Sequence, residues 1–162
     1  MQLDESKYSR AEALRYVILA TQRQGNRELN DLLKENGLTS SQAEVLRILE
    51  DWKSLSLKEL GQLLICESGS PSRLIERMTQ DGLIEKVVDP KDSRFVILQL
   101  TVKGTEKAGT VASIEKQLYE RLLDIYSDEE LESICSLLLR FLGGHSLTDT
   151  LKKRGYVLRT ND

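Results

Sequence analysis

Residues 89–100, DPKDSRFVILQL, pass from a polar turn that contains a proline directly into an alternating apolar run. Alternation with a period of two is typical of a β-strand with one buried face. A second run of strand-forming residues, LIEKVV at 83–88, precedes the turn. The two runs therefore predict a β-hairpin whose tip, which includes Lys91 and Arg94, is densely charged and projects into solvent.

The residues just before the hairpin, 70–81, have the pattern of a helix that Gly82 ends. Proline is favourable at the first helical position, which makes Ser70 a suitable N-cap and Pro71 the first helical residue. Ser68 is an equally suitable N-cap, because a proline is harmless anywhere in the first turn. The sequence leaves this choice between the two serines open.

This helix has an apolar side and a basic side. The apolar side is formed by Leu74, Ile75 and Met78. Arg73 and Arg77 are four residues apart and therefore share a face. At the start of the helix, Ser70 and Ser72 leave small hydroxyl groups and backbone N–H groups free. The N-terminal half of the helix is thus suited to contact an anion.

Further helices are predicted on both sides of this region. Apolar residues at three- and four-residue spacing indicate a helix over residues 10–36, and Gly37 is a suitable C-cap. Gly25 and Asn26 leave a break or a bend in this helix open. A long helix is predicted over residues 102–125. Capping boxes mark the starts of three other helices and are formed by Thr39 with Gln42, Ser56 with Glu59, and Ser127 with Glu130.

A short helix, a turn, a second helix and a hairpin are the elements of a winged helix-turn-helix. In that motif the second helix enters the DNA major groove with its N-terminal residues toward the base edges. The hairpin would be the wing, and the negative potential of a narrow minor groove attracts a guanidinium such as that of Arg94. The predicted fold class is therefore mainly α with a small β-hairpin wing.

Composition limits the class of protein. A chain of 162 residues with 40% hydrophobic and 30% charged residues is expected to be soluble and to form either one domain or one compact domain with a helical extension. It has no apolar run long enough for a membrane span and no signal-peptide pattern at its polar start. Two cysteines imply no disulfide framework, so we expect a cytoplasmic protein. Because the net charge is −3, any DNA binding must come from a local patch.

Three segments resemble the MarR family of bacterial transcription regulators: LTSSQAEVLRIL, SRLIERMTQDGLIEKVVDPKDSR and LTVKG. They carry the Leu-Thr before the second helix, the Arg-Leu of the recognition helix, the Asp-Pro-x-Asp-x-Arg wing and the closing Leu-Thr-x-x-Gly. The resemblance covers residues 38–104. It implies a winged helix-turn-helix DNA-binding domain over 38–104 and a helical dimerisation region formed by residues 1–37 and 105–162.

The resemblance also implies partners. Members are homodimers, so we expect this chain to form a homodimer that binds double-stranded DNA at a pseudo-palindromic site. The resemblance further implies a repressor that is released from DNA by a small lipophilic or phenolic effector. Tyr16 and Trp52 are the candidates for an effector pocket, although ordinary packing is the alternative for each. The basic tail at 151–159 is compatible with packing on the dimer, with DNA contact or with disorder.

Seven residues are the candidates for DNA contact: Ser70, Pro71, Ser72, Arg73, Arg77, Lys91 and Arg94. Each has a simpler structural alternative. Arg73 and Arg77 are also explained as solvated helix charges paired with Glu76, and Arg77 as a brace for the wing. Arg94 is also explained as a structural ion pair with Asp92.

The two cysteines allow a second mode of regulation. Cys66 lies in the turn before the recognition helix, where a helix N-terminus and the basic Arg73 would lower the pKa of its thiol. A redox-sensing regulator that acts through Cys66 is therefore an alternative. Cys135 lies on an apolar stripe and is expected to be core.

Other classes of function find less support. A winged-helix module that binds protein rather than DNA remains an alternative, because acidic residues balance the basic residues of the predicted head. An enzyme would need a clustered nucleophile, base or metal set, and the single histidine, His145, has no partner cluster. We therefore expect no catalytic site, no metal and no cofactor.

Overall fold

The computed structural model describes residues 5–67 and 69–156 of the chain. In order, the elements are α1 (Glu5–Glu35), α2 (Ser40–Trp52), α3 (Leu57–Gly61), α4 (Pro71–Gln80), β1 (Ile84–Val88), β2 (Val96–Leu100), α5 (Val102–Ile125), α6 (Asp128–Leu142) and α7 (Ser146–Lys153). The predicted mainly helical fold with one antiparallel hairpin is confirmed. None of the described helices is long and apolar enough to cross a membrane.

The three predicted capping boxes are all present, and each fixes the start of a helix. The side chains of Thr39, Ser56 and Ser127 each accept a hydrogen bond from the backbone N–H three residues further along. The side chain of that later residue in turn accepts from the backbone N–H of the capping residue. Gly37 has a φ of +70°, the left-handed conformation expected of a C-cap. These local signals were readable from sequence because capping involves residues within one turn.

The helix α1 is continuous from Glu5 to Glu35, so the break considered at Gly25 and Asn26 does not occur. A glycine destabilises a helix by only about 1 kcal/mol relative to alanine. The helical turns before and after Gly25 stabilise α1 enough to offset this loss. At the other end of the chain, the tail that the sequence left undecided forms α7, followed by a turn. Residues 157–162, which include the end of the basic tail at 151–159, lie outside the described residues.

One hydrophobic core unites the head with the long helices. In the head, α2, α3 and α4 bury Leu46, Leu60 and Met78 completely. Leu33 from α1 and Val111 from α5 are equally buried and belong to the same core cluster. The two long helices are thereby anchored to the back of the head.

The hairpin is tied to the head along its inner strand. The strands pair antiparallel, from Ile84 with Leu100 to Val88 with Val96. Leu98 of β2 also exchanges backbone hydrogen bonds with Leu55, which precedes α3, over 2.7 and 3.1 Å. The hairpin therefore projects from the head as a supported arm with its tip in solvent.

The long helices leave many apolar side chains exposed in the single chain. No described residue of α6 is buried, and Phe141 is 85% exposed. The interpretation of Cys135 as a core residue is therefore wrong for the single chain, where it is exposed. Its apolar stripe exists, but α6, which adjoins α7, buries none of its residues within the described chain.

Candidate nucleic-acid interface

Among the described residues, no side chain caps the start of α4. Ser70 is the N-cap and Pro71 the first helical residue, which is one of the two arrangements that the sequence allowed. The other candidate cap, Ser68, lies outside the described residues. The Ser70 hydroxyl does not cap the helix and lies 3.3 Å from the Ser72 hydroxyl. Backbone N–H groups at an uncapped helix start are suited to bind a phosphate.

Arg73 and Arg77 are exposed on α4. Within residues 5–67 and 69–156, neither guanidinium makes an ion pair, so pairing with Glu76 does not occur. Glu76 instead pairs with Lys86 of β1, with 3.1 Å between Nζ and Oε2. This pair links the outer surface of α4 to the wing strand and leaves both arginines available to an outside anion.

At the wing tip, Arg94 forms the ion pair that the sequence offered as its structural alternative. Its Nε and Nη2 lie 2.9 and 2.6 Å from the two carboxylate oxygens of Asp92. The hydrogen bonds from Arg94 hold the pKa of Asp92 below its ordinary value. The Arg94 side chain is nevertheless 81% exposed. The ion pair therefore orients the guanidinium without burying it.

The rest of the tip is a tight polar turn. The backbone N–H of Lys91 donates to Asp89 Oδ1 over 2.8 Å, and the Lys91 side chain is exposed. The Asp89 N–H donates to the Phe95 carbonyl over 2.9 Å and closes the turn. Both basic residues of the tip are thus carried on an ordered turn.

The two candidates for an effector pocket lie in different environments. Tyr16 is 56% exposed on α1, beside Arg15. Trp52 is half-buried and packs against the core of the head. An open groove of about 350 Å³ lies elsewhere, between the end of α5 and the start of α6, and is lined in part by Tyr126 and Leu137.

The expectation of a low pKa for the Cys66 thiol is wrong. Although Cys66 is exposed at the surface, partial desolvation of its thiol raises the pKa to about 11, and the nearby carboxylate of Glu44 adds to the effect. Desolvation is the largest cause, and Glu44 of α2 contributes a carboxylate that residue spacing alone does not place beside Cys66. At neutral pH the thiol is therefore protonated, and the thiol form is a poor nucleophile.

The raised pKa of the Cys66 thiol predicts slow alkylation of this residue. At pH 7 only roughly one part in ten thousand of the thiol would be thiolate. We expect the rate of Cys66 labelling by iodoacetamide, followed by peptide mass spectrometry, to rise about tenfold per pH unit from pH 7 to pH 10. A Cys135→Ser variant serves as background. A rate that levels off near pH 7 would contradict the raised pKa.

The functional residue that sequence reasoning missed is Glu44. It is buried in α2 and accepts from the backbone N–H groups of Ile65 and Cys66 over 2.9 and 2.7 Å. It also accepts from Arg154, which follows α7, over 2.6 Å. No local pattern marks this residue, because its partners are 21 to 110 positions away.

Comparison with known proteins gives consistent results. A family model described as a winged helix DNA-binding domain matches residues 38–104. The chain is 31% identical to an organic hydroperoxide resistance transcriptional regulator of Bacillus subtilis (strain 168), over 69% of this chain and 81% of the relative.

Two solved structures share the fold. One is a cysteine-to-serine mutant of MarR from E. coli in complex with operator DNA, with a TM-score of 0.70 and 23% identity. That match covers 83% of this chain and 97% of MarR. The other is the organohalide-sensing regulator RdhR bound to 2,4-dichlorophenol, with a TM-score of 0.71 and 20% identity, over 90% of this chain and 88% of RdhR.

Proposed function

Because this chain belongs to the MarR family of winged-helix transcriptional regulators, we propose that it is a repressor that a small-molecule effector releases from a pseudo-palindromic operator. The observation that carries the proposal is the surface of the head. Arg73 and Arg77 are exposed and unpaired among the described residues, and Arg94 is exposed on the wing. Three exposed guanidinium groups thus lie on the head of a protein whose net charge is −3.

Residues 38–104 form the proposed DNA-binding domain. In this proposal α4 enters the major groove, where Arg73 and Arg77 contact base edges and phosphates. Ser70, Pro71 and Ser72 bring the start of α4 against a backbone phosphate, because the N–H groups there are uncapped by the Ser70 side chain. The remaining contacts come from the wing, where Arg94 enters the minor groove and Lys91 contacts a phosphate.

Residues 1–37 and 105–162 form the proposed dimerisation region. Large apolar side chains are exposed on α1, on the second half of α5 and on α6, and Val17, Leu123 and Leu137 are each at least 60% exposed. Apolar surface of this extent is typical of a protein interface. In a two-fold dimer the two α4 helices would read half-sites about one helical turn of DNA apart.

The effector that we propose is a small lipophilic or phenolic compound. The similar structure of RdhR contains 2,4-dichlorophenol, which supports this class of ligand. Tyr16 and Trp52 remain the proposed contacts. Binding to chromosomal DNA supports a cytoplasmic location.

A thiol switch at Cys66 is the second candidate for the mode of regulation. One observation favours it and another argues against it. The Bacillus relative is named for resistance to organic hydroperoxide, which favours a peroxide response. The raised pKa of Cys66 argues against this cysteine as the sensor. Peroxide added to the protein–DNA complex should release the DNA only if a thiol switch exists.

The proposal is tested by DNA selection followed by fluorescence anisotropy. Purified protein would select duplexes from a randomised pool, and the recovered DNA would be titrated at several salt concentrations. Saturable binding far tighter than binding to a scrambled duplex would support the repressor. Recovery of no preferred sequence would contradict it and favour a winged-helix module that binds protein.

On the selected DNA we expect Arg94→Ala to weaken binding about tenfold and to reduce the salt slope by about one, because one cationic contact is lost. Lys116→Ala on α5 is the control. It removes the same charge, and its exposed pair with Glu120 is long at 3.7 Å and contributes little. If Arg94→Ala leaves both affinity and slope unchanged, the ion pair with Asp92 is the whole role of Arg94.

A further inference from the structure

The C-terminal helix α7 contacts the segment that joins α3 to α4. The buried Thr150 donates from Oγ1 to the backbone carbonyl of Gln62 over 3.1 Å. Lys153 donates from Nζ to the side-chain oxygen of the same Gln62 over 2.9 Å. Gln62 is the C-cap of α3, so α7 binds the point where the helix-turn-helix begins its turn.

The turn itself is held by the carboxylate of Glu44. Its Oε1 accepts from the Ile65 N–H and from Arg154 Nη1, and its Oε2 accepts from the Cys66 N–H. The side chains of Glu44 and Arg154 are only 4% and 14% exposed. A buried carboxylate is strongly unfavourable without an opposite charge. The guanidinium of Arg154 therefore stabilises the carboxylate that fixes the turn.

The turn leads directly to the recognition helix. Cys66 precedes the N-cap Ser70 by four positions. The end of α3 also adjoins the start of α4, because a Cβ built on Gly61 would lie 3.9 Å from Pro71 Cγ. A shift of the backbone at Ile65 and Cys66 would therefore move the end of α4 that faces DNA.

We propose that Arg154 is a positioning residue for DNA binding, and that α7 is a brace that must be docked for α4 to present its arginines to the major groove. Arg154 acts through Glu44 and the turn. Its guanidinium is largely buried, lies 2.6 Å from Glu44 and faces the Tyr156 ring at 5.3 Å, so it does not itself face DNA. The inference rests on the proposed contact between α4 and DNA.

The principal test compares Arg154→Gln with Lys152→Gln in the full-length protein. Both variants remove one positive charge from the same segment, but Lys152 is exposed and makes no ion pair with any described residue. The probes are the duplex selected by the wild-type protein and a scrambled duplex. Couplings between two sites in one protein are commonly about 5-fold to 150-fold. We expect Arg154→Gln to weaken binding to the selected duplex at least about fivefold and Lys152→Gln to leave it within about twofold.

The salt dependence separates positioning from direct contact. A positioning residue should lower affinity for the selected duplex while affinity for the scrambled duplex and the salt slope measured on the scrambled duplex stay near the wild-type values. A residue that contacts a phosphate should reduce the slope by about one and weaken both duplexes alike. The second result would overturn the proposal, as would wild-type affinity of Arg154→Gln for the selected duplex.

A second variant guards against misfolding of Arg154→Gln. Thr150→Val keeps the shape of the side chain and all charges but removes the hydroxyl, which donates to the carbonyl of Gln62 and also to that of Ser146 within α7. We expect it to weaken selective binding in the same direction. Wild-type binding by a folded Thr150→Val, combined with loss of fold in Arg154→Gln, would assign Arg154 to stability alone and overturn the brace.

Hydrogen exchange tests the brace without DNA. Backbone N–H exchange at Ile65 and Cys66 should be at least about fivefold faster in Arg154→Gln than in Lys152→Gln, because the Glu44 carboxylate no longer holds these groups. Unchanged exchange would overturn the brace. If the wild-type protein selects no DNA but this exchange still accelerates, the proposed function fails while the α7 brace remains.

Discussion

Replacing Gly104 with alanine is expected to lower the free energy of unfolding by about 3 kcal/mol, because the site has no room for a methyl group. A Cβ at this position would lie 2.0 Å from the carbonyl oxygen of Leu83. That oxygen already accepts from the Thr101 N–H over 3.1 Å, and Thr101 caps α5 by accepting from the Gly104 N–H. To make room for the methyl group, α5 must move away from Leu83, which follows α4. This movement would strain the hydrogen bonds that Thr101 makes with Leu83 and with Gly104.

Urea unfolding at equal protein concentration measures this effect, and Gly109→Ala is the matched control. Gly109 lies on the same helix with nothing within 4 Å of a built Cβ. Alanine there should raise the free energy of unfolding by about 0.5–1 kcal/mol, since it favours the helix. Equal urea midpoints for Gly104→Ala and Gly109→Ala would show that α5 shifts without loss of stability. That result would refute the close approach of residue 104 to the Leu83 carbonyl.

The second large effect is expected at the recognition helix. Arg73→Ala should weaken binding to the selected duplex by about 1–3 kcal/mol, which is about 5-fold to 150-fold, and should relax the preference at one base position. Arg77 lies one helical turn further from the start of α4, so Arg77→Ala should have the smaller effect. Because both side chains are exposed and unpaired among the described residues, neither substitution should alter the urea midpoint appreciably.

Lys116→Ala is again the control for loss of charge. If all three variants weaken binding equally, the arginines act only through net charge, and the assignment of α4 as the reading element fails. If Arg73→Ala alone weakens the selected duplex but not a scrambled one, Arg73 contacts a base rather than a phosphate.

Much of the fold was predictable because its signals are local. A capping residue and its partner lie three positions apart, a hairpin is marked by two alternating runs around a polar turn, and a left-handed C-cap favours glycine. Thr39, Ser56 and Gly37 therefore take the roles that the sequence predicts. The observed bounds of α5, Val102–Ile125, agree with the predicted bounds of 102–125. The start was predictable because Thr101 caps it.

The sequence by itself determined the order of the elements up to α6, three helix caps, the hairpin and the presence of arginines on α4 and the wing. Each of these features depends on neighbours within a few residues. Only the tertiary structure decided which charges are free. It pairs Glu76 with Lys86 and leaves Arg73 unpaired within the described chain, and it brings Glu44 and Arg154 together from 110 positions apart. Burial and long-range pairing set the energy of a charge, and neither quantity is encoded in residue spacing.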